Sequence, residues 1–191
     1  MVSKEYHCIG DLLLRATFND LNADIIAVIS NHENLKGLVE QNDIPFHFVN
    51  HKGLDRAEHE LAVHSCIDQY QSDYIVLAKY MRILTPSFVE KYNNRIVNIH
   101  HSFLPAFIGA KPYHQAFERG VKIIGATAHF VNNDLDEGPI IYQDVTHIDH
   151  RYSPRALASS GKDVEKIVLA KALKLVLNDR VFIHGNKTIV F

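Results

Sequence analysis

The feature that most constrains this chain is its alternation of short, β-branched apolar runs with longer helix-like stretches. Tyr74-Ile75-Val76-Leu77-Ala78 is the clearest of the runs, and Ile25-Ile26-Ala27-Val28-Ile29 is another, bounded by polar residues. A run that is apolar at every position buries both of its faces, as strands of a helix-covered parallel sheet do. Phe46 to Val49 is a shorter strand candidate, and Ile96 to Ile99 is a further one that ends at the polar His100-His101-Ser102. Helical character falls between these runs, at Gly10 to Phe18 and at Arg56 to Tyr70, the latter with Leu61, Ile67 and Tyr70 among its apolar positions. Thr85-Pro86 opens another helix, with threonine as N-cap and proline at the first helical position. Lys111 to Arg119 reads as a helix stopped by Gly120. Lys162 to Leu177 is amphipathic, with Val164, Ile167, Val168, Ala172, Leu175 and Val176 apolar. Ile123 to Val131 and Pro139 to Thr146 are strands joined by an acidic turn, and Val181 to Phe191 is a hairpin around Gly185-Asn186. The pattern predicts an α/β fold: an open, mainly parallel twisted sheet of Rossmann-like type with flanking helices and a C-terminal hairpin.

At 191 residues, and without repeat, linker or low-complexity segment, the chain (1–191) is expected to form a single domain. Open α/β domains normally begin with a buried strand that feeds the first loop. Only Met1 and Val2 precede the polar Ser3-Lys4-Glu5-Tyr6-His7, so the expectation is a domain truncated at its N-terminus with most of the first strand missing.

The formal charge is -2 and the basic residues are scattered, which argues against nucleic acid or an anionic membrane as partner. No stretch approaches the roughly eighteen apolar residues of a bilayer span, and the N-terminus carries no apolar signal core. Cys8 and Cys66 give neither a disulfide framework nor a metal-like spacing, so a reduced, cytoplasmic setting is the expectation. Whether the chain forms a homo-oligomer is open. The 13 histidines raise the possibility of a metal-dependent hydrolase, since His100, His101, His114, His129, His147 and His150 supply ample imidazole. No His-Glu-x-x-His or paired-cysteine spacing accompanies them, so no metal and no permanently bound cofactor are expected.

Asn98 and His100 are two apart on a predicted strand and therefore project from one face, at its carboxyl end, where open α/β sheets place ligands. An amide donor beside an imidazole suits stabilisation of an oxyanion and handling of a proton, although a polar strand end is also an ordinary structural feature. Asp136 lies in Leu135-Asp136-Glu137-Gly138-Pro139, where it either caps the turn or brings a carboxylate to the imidazole and amide. Spacing in sequence cannot bring the three together.

Three motifs in order carry a resemblance: V-N-I-H-H-S-F-L-P at 97–105, G-A-T-A-H-F-V at 125–131 and L-D-E-G-P-I-I-Y-Q at 135–143. In them the chain resembles the folate-dependent formyltransferase family over essentially its whole length. The resemblance implies a formyltransferase fold, 10-formyltetrahydrofolate as substrate, and Asn98, His100 and Asp136 as the catalytic signature. It also implies that Met81, Arg82, Ile83 and Leu84, with Asn132 and Leu135 opposite, bind the folate. His129 is either a partner of that signature or a strand histidine satisfied locally.

The family divides by acceptor. A transferase branch uses an amine such as glycinamide ribonucleotide and grips its phosphate with a glycine-rich loop at a helix N-terminus. Here the corresponding loop, Ser3 to Gly10, carries Glu5, Tyr6 and His7 and has no glycine before Gly10, so a phosphate meets crowding and negative charge. The loop and the segment H-H-S-F-L-P-A-F-I-G-A-K-P-Y-H-Q-A at 100–116 look instead like the formyltetrahydrofolate deformylase branch. That branch implies hydrolysis to formate and tetrahydrofolate, supplying formate for purine biosynthesis and balancing the one-carbon folate pool. In such a reaction Asp136 accepts the proton of the attacking water, directly or through a relay, while Asn98 and His100 stabilise the oxyanion. Deformylases ordinarily carry an N-terminal ACT-type domain, so this chain is expected to be the catalytic domain without it.

Overall fold

The computed structural model describes residues 1–106 and 112–191. In chain order the elements are α1 (His7–Thr17), β1 (Val28–Ser30), α2 (Lys36–Glu40), β2 (Phe46–Phe48), α3 (Arg56–Ile67), β3 (Ile75–Leu77) and α4 (Pro86–Lys91). They continue with β4 (Ile96–His100), α5 (Pro112–Arg119), β5 (Ile123–Phe130), β6 (Ile140–His147), α6 (Pro154–Leu177), β7 (Val181–His184) and β8 (Lys187–Val190). Lys111, the expected first residue of α5, lies outside the described residues.

β1 pairs with β2 and β3 with β4 in parallel, whereas β4, β5 and β6 pair antiparallel. Met1 and Val2 join the two groups. Val2 bridges Ser30, its N–H donates to the Ile29 carbonyl at 2.9 Å, and the Ala78 N–H donates to the Met1 carbonyl at 3.0 Å. The order across the molecule is thus β2-β1-Val2-β3-β4-β5-β6, parallel on one side and antiparallel on the other. In the parallel half, β1 and β3 come from the fully apolar runs, and the antiparallel half is completed by the hairpin around the acidic turn.

The chain moves outward from Val2 in both directions, and crossovers between parallel strands are right-handed, so the helices divide between the two faces. Cys8, Leu12 and Leu13 of α1 pack with Val168, Leu169 and Leu173 of α6 on one face. Val63 and Ile67 of α3 pack with Phe88 of α4 on the other. Thr85 caps α4, accepting the Phe88 N–H, with Pro86 in the first turn as its sequence requires. Two of the apolar helix positions lie outside the core: Leu61 is 66% exposed and Ile167 45% exposed, because each falls at the margin of its helix's buried stripe.

α6 begins at Pro154, well before the expected Lys162, with Ser153 as N-cap. Ser159, Ser160 and Gly161 interrupt the apolar pattern there and hide the first two turns. Gly161 has a packing reason: a Cβ at this position would stand 2.0 Å from the Tyr113 hydroxyl. The helix therefore accepts a poor helix former, at a cost of about 1 kcal/mol, in order to admit α5.

Candidate active site

β4 carries Asn98 and His100, and the antiparallel register sets His129 of β5 opposite Asn98 and Thr127 opposite His100. The Asn98 Nδ2 lies 3.1 Å from the His129 Nε2. The other ring nitrogen, Nδ1, lies 2.8 Å from the Phe130 carbonyl. A carbonyl can only accept, so Nδ1 carries the proton and Nε2 accepts from the Asn98 amide. A register shift between Ala128 and His129 in the β5–β6 pairing falls at this residue, and such irregularities re-aim side chains. His129 is 2% exposed and belongs to the cluster.

Because β5 runs antiparallel to β4, the acidic turn leaves beside the start of β4, where the Val131 N–H donates to the Ile96 carbonyl. The turn must fold back to reach His100, and it does. The Asp136 carboxylate stands 3.2 Å from the His100 Nδ1 and 3.7 Å from the His129 Nε2. Asp136 has φ 59°, in the left-handed region that aspartate enters more readily than most residues. Gly138 permits the bend, since a Cβ there would lie 1.8 Å from the Phe130 backbone oxygen. Gly138→Ala is therefore expected to push the turn off the sheet, costing about 1–3 kcal/mol and most of the activity. Equilibrium unfolding together with a turnover assay checks this, and a variant with wild-type turnover would contradict the packing argument. Burial raises the Asp136 carboxyl, but hydrogen bonding from His100 outweighs it and holds the group well below the usual carboxylate range.

Beyond His100 the chain is pinned by Thr127. Its buried hydroxyl donates to the Ser102 carbonyl at 2.9 Å and accepts from the Leu104 N–H at 3.0 Å and the Gln143 Nε2 at 2.8 Å. Thr127→Val keeps the shape but strands these partners. The expected loss is about 1–3 kcal/mol of stability in a denaturant titration, with turnover falling as the His101–Leu104 segment loosens. The His101 ring stacks on His100 at 4.7 Å. Burial first, then the charges of Lys79 and His100, push the His101 imidazole down to about 4. The Lys79 ammonium lies 3.3 Å from the His101 Nδ1, which therefore accepts. Among the described residues, the His100 Nε2, His101 Nε2 and Ser102 Oγ are buried and have no hydrogen-bond partner.

The residues expected to bind substrate flank this cluster. Met81 to Leu84 follow β3, the neighbour of β4, and Met81 is tied down by its N–H, which donates to the Ser3 Oγ at 3.0 Å. Met81 is 63% exposed and Leu135 59% exposed, with Ile83 also exposed; Arg82, Leu84 and Asn132 are half-buried. Exposed apolar side chains beside a polar cluster are the lining a flat heterocycle needs. Among the described residues, His7, Cys8 and Glu165 have ligand atoms close enough to share a metal ion. The Lys79 ammonium, 3.1 Å from Glu165, already supplies a cation there, and burial together with Glu165 pushes the Cys8 thiol up, away from the thiolate. That donor set does not suit a metal.

Residues 1–173 match the formyl transferase family. The chain is 61% identical over 190 residues to the formyltetrahydrofolate deformylase of Escherichia coli K12, covering 100% of this chain and 68% of that protein. It is 56% identical to the Bacillus subtilis deformylase, covering 63% of it. The crystal structure of a Pseudomonas syringae formyltetrahydrofolate deformylase superposes with a TM-score of 0.97 at 50% identity, covering 100% of this chain and 64% of that one. A glycinamide ribonucleotide transformylase from Symbiobacterium toebii superposes with a TM-score of 0.93 at 27% identity, covering 100% and 91%. The chain spans about two thirds of the deformylases that it matches. It belongs to the formyl transferase family, in the formyltetrahydrofolate deformylase branch.

Proposed function

We propose that this chain hydrolyses 10-formyltetrahydrofolate to formate and tetrahydrofolate. The observation that carries the reading is the convergence of Asn98, His100 and Asp136, with the Asp136 carboxylate 3.2 Å from the His100 Nδ1 and the His100 Nε2 buried and without a partner among the described residues. A carboxylate held so far below its ordinary range is a poor base, which favours the relay over direct proton transfer to Asp136. Asp136 accepts the Nδ1–H of His100 and fixes its tautomer, so that Nε2 faces the reacting centre. Water attacks the formyl carbon as Nε2 takes its proton, and the oxyanion is held by the Asn98 N–H that His129 leaves free. The carbon–N10 bond then breaks, and Nε2 returns the proton to N10.

The folate is received by Met81, Arg82, Ile83 and Leu84 on one side and by Asn132 and Leu135 on the other. Its formate product feeds purine synthesis in the cytoplasm. The identity to curated deformylases supports this reading over transfer to glycinamide ribonucleotide, and so does the Ser3 to Gly10 loop, which offers no glycine nest for a phosphate. The test is incubation with 10-formyltetrahydrofolate alone. Stoichiometric formate and tetrahydrofolate are expected, and folate binding without formate would overturn the hydrolase.

A further inference from the structure

The strand order β2-β1-Val2-β3-β4 runs outward from the Val2–β3 pair, so the loops after Val2 and after β3 leave toward opposite faces. Open α/β sheets bind ligands in the crevice that such a divergence opens at the carboxyl ends of the strands. In this chain the crevice is filled from within. The loop after Val2 leads into α1, whose first residue, His7, sets its Nε2 2.7 Å from the Glu165 carboxylate of α6. The loop after β3 supplies Lys79, whose backbone takes the left-handed φ of 63° and whose Nζ lies 3.1 Å from the same carboxylate. α5 adds Tyr113, whose hydroxyl donates to the second Glu165 oxygen at 2.6 Å. Glu165 is 1% exposed, and His7 and Lys79 are buried with it.

Stability alone does not explain this arrangement. Desolvating two charges offsets most of their attraction, and apolar residues of similar volume usually serve a core as well or better. The position of the network points to function, because it extends to the reacting centre: Lys79 contacts His101 at 3.3 Å, and His101 stacks on His100. The close superposition on a transformylase means that the shared fold does not by itself choose the acceptor. Side chains beside His100 must make that choice.

We propose that the His7–Glu165–Lys79–Tyr113 network occupies the place of a co-substrate at this crevice and so makes water the only nucleophile admitted to the formyl carbon. The inference rests on the hydrolase reading above. If the network is opened, a small amine can take the place of water. Its nitrogen attacks the formyl carbon, the carbon–N10 bond breaks, the nitrogen loses a proton and N10 gains one, giving the formylated amine and tetrahydrofolate.

The experiment compares Tyr113→Ala, His7→Gly and the volume-preserving control Tyr113→Phe with the wild type. Each is given 10-formyltetrahydrofolate with excess methoxyamine, a nucleophile uncharged at neutral pH. The readout is the ratio of N-methoxyformamide to formate, corrected for the reaction without enzyme. The wild type and Tyr113→Phe are expected to yield formate with little formylated amine, and at least one opened variant to raise the ratio about tenfold or more. The proposal is overturned if both opened variants keep the wild-type ratio or form no formylated amine, whether or not hydrolysis survives. It is equally overturned if the wild type already formylates the amine as efficiently as they do. A wild type that releases no formate refutes the hydrolase reading itself and takes the proposal with it; formate release with unchanged ratios refutes the proposal alone.

Discussion

Asp136→Asn is expected to lower formate release by about 10³–10⁴-fold while the affinity for folate changes by no more than a few-fold. The substitution preserves the shape of the turn, so Gly138 and Leu135 stay where they are and the folate surface is intact. What changes is the partner of the His100 Nδ1. Asparagine can present its amide N–H there, which stabilises the wrong tautomer and leaves Nε2 protonated and unable to receive a proton from water. It also removes the negative charge that stabilises the imidazolium. Because hydrogen bonding from His100 holds Asp136 well below the usual range, this carboxylate stays ionised throughout ordinary acid conditions. The acid limb of the wild-type pH–rate profile should therefore not report this carboxylate. Rapid-quench measurement of formate and a separate folate titration test both statements, and near-wild-type turnover in the variant would remove Asp136 from the mechanism.

The largest stability effect is expected at Glu165. Glu165→Ala should cost about 3–5 kcal/mol, because Lys79 is left as a buried charge without its counter-ion and His7 and Tyr113 lose their acceptor. Burial alone would raise this carboxyl, but the His7 hydrogen bond, the Lys79 charge and the Tyr113 hydroxyl together lower it from 4.5 to about 2. A depressed carboxylate contributes stability that is complete above its unfolded value and is lost as pH falls. The window for Glu165 therefore runs from about 4.5 down to about 2, and the variant should lose that part of the acid dependence. Urea titrations of both proteins between neutral and acid pH measure it. The double variant Glu165→Leu with Lys79→Met should recover much of the loss, since it removes both charges together. A single variant within about 1 kcal/mol of wild type would show that the network contributes little to the fold.

Much of the architecture was legible because it is written in local periods. The apolar runs at 74–78 and 96–99 lie at strands β3 and β4, Thr85-Pro86 caps its helix, and the Gly185-Asn186 turn closes its hairpin. Each depends on residues a few positions apart, which a linear reading can weigh. The exceptions are instructive. The first turns of α6 were hidden because Gly161 was chosen for its contact with Tyr113, a residue distant in sequence. Leu61 and Ile167 are apolar yet exposed, because a helix's apolar stripe does not reveal its exact rotation against the sheet.

In the candidate site the division is sharper. The sequence by itself determined the residue types and the shared face of Asn98 and His100. Only the tertiary structure decided that His129 faces Asn98, because that depends on an antiparallel register. The same is true of Asp136, which starts from the far end of β4 and reaches His100 because Gly138 lets the turn lie against Phe130. His7, Lys79, Tyr113 and Glu165 were invisible as a unit for the same reason. Side-chain chemistry and short periods are properties of neighbouring residues, whereas charges brought together from α1, the loop after β3, α5 and α6 exist only once the sheet has aligned the ends of its strands.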